Sequence, residues 1–157
     1  MSDVVIIMGS KGDMPRAKQI ADALAKLDLS YEMRIASAHK SPAFLMQILQ
    51  TYEQDDVRRV YITIAGRSNA LGGFVDAAVS APVIACPPYS ETFAGADIYS
   101  SLRMPSGVAP AVVLEPEAAA LLAAKILGRR AAVRKMQAEQ TARLVADDQS
   151  LREEGAR

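Results

Sequence analysis

The chain has 157 residues, enough for one domain with a real core, and half of them are hydrophobic, mostly small aliphatics. Eighteen basic side chains balance eighteen acidic ones, which argues against a nucleic-acid or membrane-surface binder. One cysteine, Cys86, excludes an internal disulfide and a thiolate metal cluster, and one histidine, His39, is too few for a histidine-rich metal centre.

The N-terminal apolar run stops at Gly9-Ser10-Lys11, too short for a signal peptide or a membrane span, so a cytoplasmic protein is expected. Within it, Val4 to Met8 is largely β-branched, the pattern of a strand covered on both faces. Met14 to Leu27 carries Ala17, Ile20, Ala21, Leu24 and Leu27 at helical spacing. Tyr31 to Ala36 reads as a second strand and Pro42 to Tyr52 as a second helix, opened by its proline. Arg59 to Ile64 is the third strand, Asn69 to Val79 a small-residue helix, and Pro82 to Cys86 the fourth strand. Ala94 to Leu102 reads as a short helix, Ala111 to Leu114 as the fifth strand, and Pro116 to Leu127 as an Ala/Leu helix stopped by Gly128. Strand and helix alternate throughout, which predicts an α/β fold: a three-layer αβα sandwich around a five-stranded parallel sheet of flavodoxin-like order 2-1-3-4-5. Residues 1–128 form the expected catalytic domain. Residues 129–157 turn highly charged, with Val133, Met136, Leu144 and Val145 only loosely spaced. They are expected to form a helical extension that packs on a neighbouring subunit, or else frays into solvent.

In open parallel sheets, ligands bind beyond the carboxyl ends of the strands, where strand order reverses. The loop after strand one, Gly9-Ser10-Lys11-Gly12-Asp13, has the parts of an anion cradle, or else is an ordinary turn with Asp13 as helix cap. It fits neither dinucleotide nor triphosphate spacing. The loop after strand two, Ser37-Ala38-His39-Lys40, sets a hydroxyl and a cation around the one side chain able to give and take a proton near neutrality. The alternative is a surface histidine without a duty. The loop after strand three, Ala65-Gly66-Arg67-Ser68-Asn69-Ala70-Leu71, leads into Gly72 and Gly73. Such small residues admit a planar ligand against the backbone, or simply tight helix–sheet packing. Cys86 ends a buried strand and reads as structural. A phospho-receiver domain would need acidic residues where Met8-Gly9 and Ala65-Gly66 stand. What survives is metal-free acid–base work on a phosphorylated small molecule.

Assembled in order, Met8-Gly9-Ser10 with Asp13-Met14, Ser37 to Lys40, Ala65 to Leu71, Pro82 to Pro88 and Phe93 to Gly107 resemble the purine-biosynthesis family that makes carboxyaminoimidazole ribonucleotide. The mutases of that family carry a second histidine in the third loop and arginine after the first histidine. Ala70 and Lys40 stand at those places here, together with Arg67-Ser68-Asn69, so the pattern resembles the branch that carboxylates 5-aminoimidazole ribonucleotide with carbon dioxide directly. The resemblance implies that Ser10, Ser37 and Lys40 hold the phosphate and Asp13 the ribose hydroxyls, with Gly9 and Ala38 also among the substrate-binding residues. It implies further that Ala65, Gly66, Arg67, Ser68, Asn69, Ala70 and Leu71 frame the imidazole and carbon dioxide, and that His39 is the base. It implies no metal or cofactor, a cover over the site from Phe93 to Gly107, and a homo-oligomer, an octamer or a tetramer, with Met104 and Pro105 offered to a neighbouring subunit. The rival readings are the mutase reaction and, more remotely, a non-catalytic flavin- or nucleotide-binding domain.

Overall fold

A computed structural model describes residues 2–155. Five parallel strands form one sheet in the order β2-β1-β3-β4-β5: β1 (Val4–Met8), β2 (Tyr31–Ile35), β3 (Val60–Ile64), β4 (Val83–Ala85) and β5 (Ala111–Val112). The crossovers are α1 (Met14–Lys26), α2 (Pro42–Tyr52), α3 (Ala70–Ala78) and the short α4 (Tyr99–Leu102); α5 (Pro116–Ile126) and α6 (Arg130–Gly155) close the chain. The flavodoxin-like order and the sandwich are those expected.

Alternation within β1 builds two separate cores. Val4, Ile6 and Met8 face α1 and α5, where the small Ala17, Ala21, Ala119, Ala120, Ala123 and Ala124 let helices sit close to the sheet. Val5 and Ile7 face α2 and α3, against Leu45, Leu49, Leu71 and Val75. All five residues of β1 and of β3 are buried, as strands covered on both faces require. Each such aliphatic side chain contributes roughly 1.5–3 kcal/mol by leaving water. β2 is an edge strand and leaves Tyr31 and Ile35 exposed; its Glu32–Arg34 ion pair, 3.3 Å apart, marks the edge with charge.

Three boundaries differ from expectation. The segment read as one helix from Ala94 to Leu102 is broken. Ala94 and Gly95 take left-handed backbone (φ 48° and 77°), leaving 3₁₀ turns at Glu91–Phe93 and Ala96–Ile98 before α4. β5 pairs over two residues rather than four. Arg59 lies just before β3, buried, with its guanidinium donating to the Tyr52 carbonyl and to Asp55 (2.9 Å). Gly128 does end α5 with left-handed backbone (φ 76°), as its position predicts. The charged extension is one helix, α6, of which Ala132, Val133 and Met136 touch the first core while residues 137–155 are exposed.

Candidate active site

β1 lies between β2 and β3, so strand order reverses there and the loops after all three leave the same edge. The register places Met8 level with both Ile35 and Ile64. Two further ladder bonds carry that alignment into the loops: Ala36 N–H donates to the Met8 carbonyl and Gly9 N–H to the Ile64 carbonyl, each at 2.9 Å. A side chain at position 9 would stand 3.6 Å from that carbonyl and 3.9 Å from Ala65 Cβ, so the first and third loops touch backbone to backbone.

The first loop closes on its own carboxylate. Ser10 donates from its amide (2.9 Å) and its hydroxyl (3.0 Å) to Asp13 Oδ2, and the Lys11–Asp13 3₁₀ turn leads into α1. One carboxylate oxygen is thus held and the other, Oδ1, has no hydrogen-bond partner among the described residues. In the second loop the Ser37 hydroxyl accepts the Lys40 N–H at 3.2 Å, which leaves its own proton to donate. Ser41 braces the turn from below: its hydroxyl accepts the Ser37 N–H at 3.0 Å, and Pro42 then starts α2. His39 and Lys40 project from this turn and are exposed, as are Lys11, Arg67 and Ser68. Lys11, Lys40 and Arg67 have no carboxylate partner among the described residues, which leaves three free cations beside the one histidine.

The third loop divides into an outward and an inward half. Gly66, Arg67 and Ser68 face out, whereas Asn69 is 1 % exposed and Leu71 2 %. The side chains of Asn69 and Leu71 are therefore turned into the protein, which leaves backbone, not these side chains, to the outer edge of the loop. Asn69 Oδ1 accepts the Gly72 N–H at 3.1 Å and so caps α3, and Leu71 packs into the second core. Gly72 is glycine because a Cβ there would lie 2.9 Å from Asn69 Oδ1.

Other residues at this edge were not legible in advance. Arg16, on α1, donates from Nε to the Cys86 carbonyl at 3.1 Å and from its guanidinium end to the Leu114 carbonyl, joining the ends of β4 and β5. Burial pushes the Cys86 thiol pKa up, against the nearby Arg16 cation, which fits a structural cysteine. Beside Arg16 lies a hollow of about 360 Å³ lined by Pro88, Tyr89, Asp97, Leu114 and Glu115. It adjoins the third loop, where a Cβ on Gly66 would be 3.7 Å from Pro88, but holds none of the first- or second-loop residues. The segment expected as a cover is tied to the start of α3 in its own chain, where Asn69 N–H donates to Ser100 Oγ (3.0 Å), and just beyond the segment Ala109 N–H donates to Asp76 (2.7 Å). Met104 Sδ sits 3.1 Å from where a Cβ of Gly73 would be, so in this chain it packs internally.

An open parallel sheet with cation-bearing loops gathered at its switch point defines a flavodoxin-like α/β domain built to bind an anionic small molecule. A sequence model of AIR carboxylase matches residues 3–146. Similar proteins include a phosphoribosylaminoimidazole carboxylase of Archaeoglobus fulgidus, 54% identical and covering 94% of this chain and 84% of its own length. Another, from Treponema denticola, is 58% identical over 78% of this chain and 77% of its own. A crystal structure of Treponema denticola PurE superimposes with a TM-score of 0.92 at 50% identity, covering 94% of this chain and 97% of that one. The chain belongs to the AIR carboxylase family, enzymes of purine biosynthesis.

Proposed function

We propose that this enzyme carboxylates 5-aminoimidazole ribonucleotide with carbon dioxide, reversibly giving 4-carboxy-5-aminoimidazole ribonucleotide without ATP, metal or biotin. The observation that carries the choice of branch is the pair Lys40 and Ala70, standing where the mutases carry arginine and a second histidine. That the similar proteins of Archaeoglobus fulgidus and Treponema denticola are named phosphoribosylaminoimidazole carboxylases supports the same reading.

The chemistry asks little of a cofactor. Aminoimidazole is an electron-rich enamine whose ring carbon 4 attacks carbon dioxide; one C–C bond forms, and a proton remains on that carbon. Lys40 and the free hydroxyl proton of Ser37 are suited to the phosphate, with Ser10, Gly9 and Ala38 beside it. Asp13 Oδ1, left open by the Ser10 clasp, is suited to a ribose hydroxyl. The outward face of Ala65 to Ala70 frames the ring and holds the gas close to carbon 4, where proximity lowers the barrier most. Its amides and Arg67 stabilise the new carboxylate. His39 takes the ring proton and restores aromaticity; in the reverse direction it returns that proton. General acid–base catalysis of this kind contributes roughly 10²–10⁴-fold.

In a single chain His39 is exposed, and the reading therefore includes assembly: a homo-oligomer, octameric or tetrameric, whose contacts close the site and engage α6. Support comes from the exposed Phe44, Tyr89, Phe93, Tyr99, Leu102 and Leu114, large apolar side chains that a second copy of the chain would cover. A cytoplasmic setting goes with the biosynthetic role, and no helix among the described residues is long and apolar enough to cross a membrane. The deciding experiment supplies purified enzyme with 5-aminoimidazole ribonucleotide and bicarbonate, without ATP. Carboxylated product is expected. Turnover only from N5-carboxyaminoimidazole ribonucleotide would instead establish the mutase reaction.

A further inference from the structure

α3 begins on a one-way cap, with no reciprocal bond from its own third residue. Asn69 is its N-cap, and Asn69 Oδ1 accepts the N–H three residues on, at Gly72. In a full capping box the side chain at that third position reaches back to the N-cap N–H. Gly72 has no side chain to send, and a Cβ would collide with the Asn69 amide at 2.9 and 3.0 Å. The Asn69 N–H is instead satisfied from outside, by Ser100 Oγ at 3.0 Å across 31 residues of sequence. The hydroxyl's single proton goes to the Asp97 carbonyl at 2.8 Å, so toward Asn69 the oxygen acts only as an acceptor. Both bonds come from one rotor setting.

We infer that Ser100, outside the strand-end loops, is a positioning residue of the active site: its hydroxyl completes the cap of α3 and so fixes the third loop. Among the loop's buried side-chain polar atoms, Asn69 Nδ2 is the one without a partner among the described residues. The outward half, Gly66 to Ser68, is held between the Ala65 end of β3 and this anchored Asn69. The inference rests on the proposed reaction only where the loop frames ring and carbon dioxide. Loss of the anchor releases those amides and leaves the phosphate loops, after β1 and β2, as they were.

The test compares Ser100→Ala, Ser100→Cys and Ser100→Thr in the full-length assembled enzyme by hydrogen exchange and by steady-state kinetics. Exchange of amides 66–73 should quicken at least about tenfold in the alanine variant, the loss expected of one partly buried hydrogen bond. Amides of β1 and β3 should keep their rates, and threonine should restore the loop. In kinetics, kcat should fall and KM for bicarbonate rise by about the same factor, with KM for the ribonucleotide unchanged. The cysteine variant, which keeps the volume with a weaker acceptor, should fall between and carries the test should the alanine variant prove insoluble. Unchanged loop exchange in both alanine and cysteine variants would overturn the inference. So would exchange that quickens uniformly over the sheet, the mark of plain destabilisation. Because exchange needs no substrate, it is read independently of whether the wild-type enzyme carboxylates.

Discussion

His39 carries no hydrogen-bond partner among the described residues and stands on a turn braced by Ser37 and Ser41, so its ring is free to meet a ligand. Replacing it with asparagine is expected to cut kcat by at least about 100-fold, while calorimetry shows nucleotide binding retained. Activity within tenfold of wild type would remove it as the base. Gly72→Ala acts by a different route. Its Cβ meets the Asn69 amide at 2.9 Å and Ala85 Cβ at 3.3 Å, both fixed in the interior. Urea unfolding should show a loss of about 1–3 kcal/mol, the usual result of overpacking. Gly73→Ala meets only the Met104 thioether, the end of a flexible side chain, at 3.1 Å and should lose less in the same assay. The contrast between neighbouring glycines is a tertiary fact, since the sequence shows only two adjacent small residues.

Among the elements, the starts of β1, β2 and α6 are clasped together. Asp3 Oδ2 accepts the Ser30 N–H (2.9 Å) and hydroxyl (2.8 Å), and Oδ1 accepts from Arg129 at 3.0 Å. Partial burial raises the Asp3 pKa, but the Ser30 bonds and the Arg129 cation outweigh it and hold the carboxyl below its ordinary value of 3.8. The folded pKa is depressed, so its stabilisation is complete above the unfolded value and is lost as pH falls through the folded one. Asp3→Asn should lower stability at pH 7 by about 0.5–1.5 kcal/mol. It should also flatten the decline of stability below about pH 4, measured by denaturant titration at stepped pH. The far end of α6 is a different case. Only Ala132, Val133 and Met136 of that helix reach the core. A chain ending at Gln137, studied under conditions that keep it monomeric, should therefore melt within about 4 °C of the full chain. The elements themselves were largely readable, because the β-branched runs of β1 and β3 and the helical spacing of α1 are local signals. The broken segment before α4 was not: left-handed Ala94 is set by what surrounds it, and alanine carries no mark of it.

For the whole molecule, one chain leaves His39 exposed and a broad set of aromatic and aliphatic side chains uncovered between Tyr89 and Leu114. Light scattering should therefore find a multimer, and specific activity should fall on dilution as the multimer dissociates. A fully active monomer would contradict the proposed assembly. What the sequence by itself determined is the series of strands and helices, and the strand-end loops where glycines, serines, cations and the lone histidine fall. Periodicity and turn chemistry act over a few residues, and those stretches also carry the family likeness. What only the tertiary structure decided is which of those residues face outward. Asn69 and Leu71 turned into the core while Arg67 and Ser68 stayed at the surface. Arg16 and Ser100 entered the site's framework through bonds spanning 98 and 31 residues. A buried N–H must find an acceptor wherever the fold supplies one, and no local pattern says which distant side chain that will be.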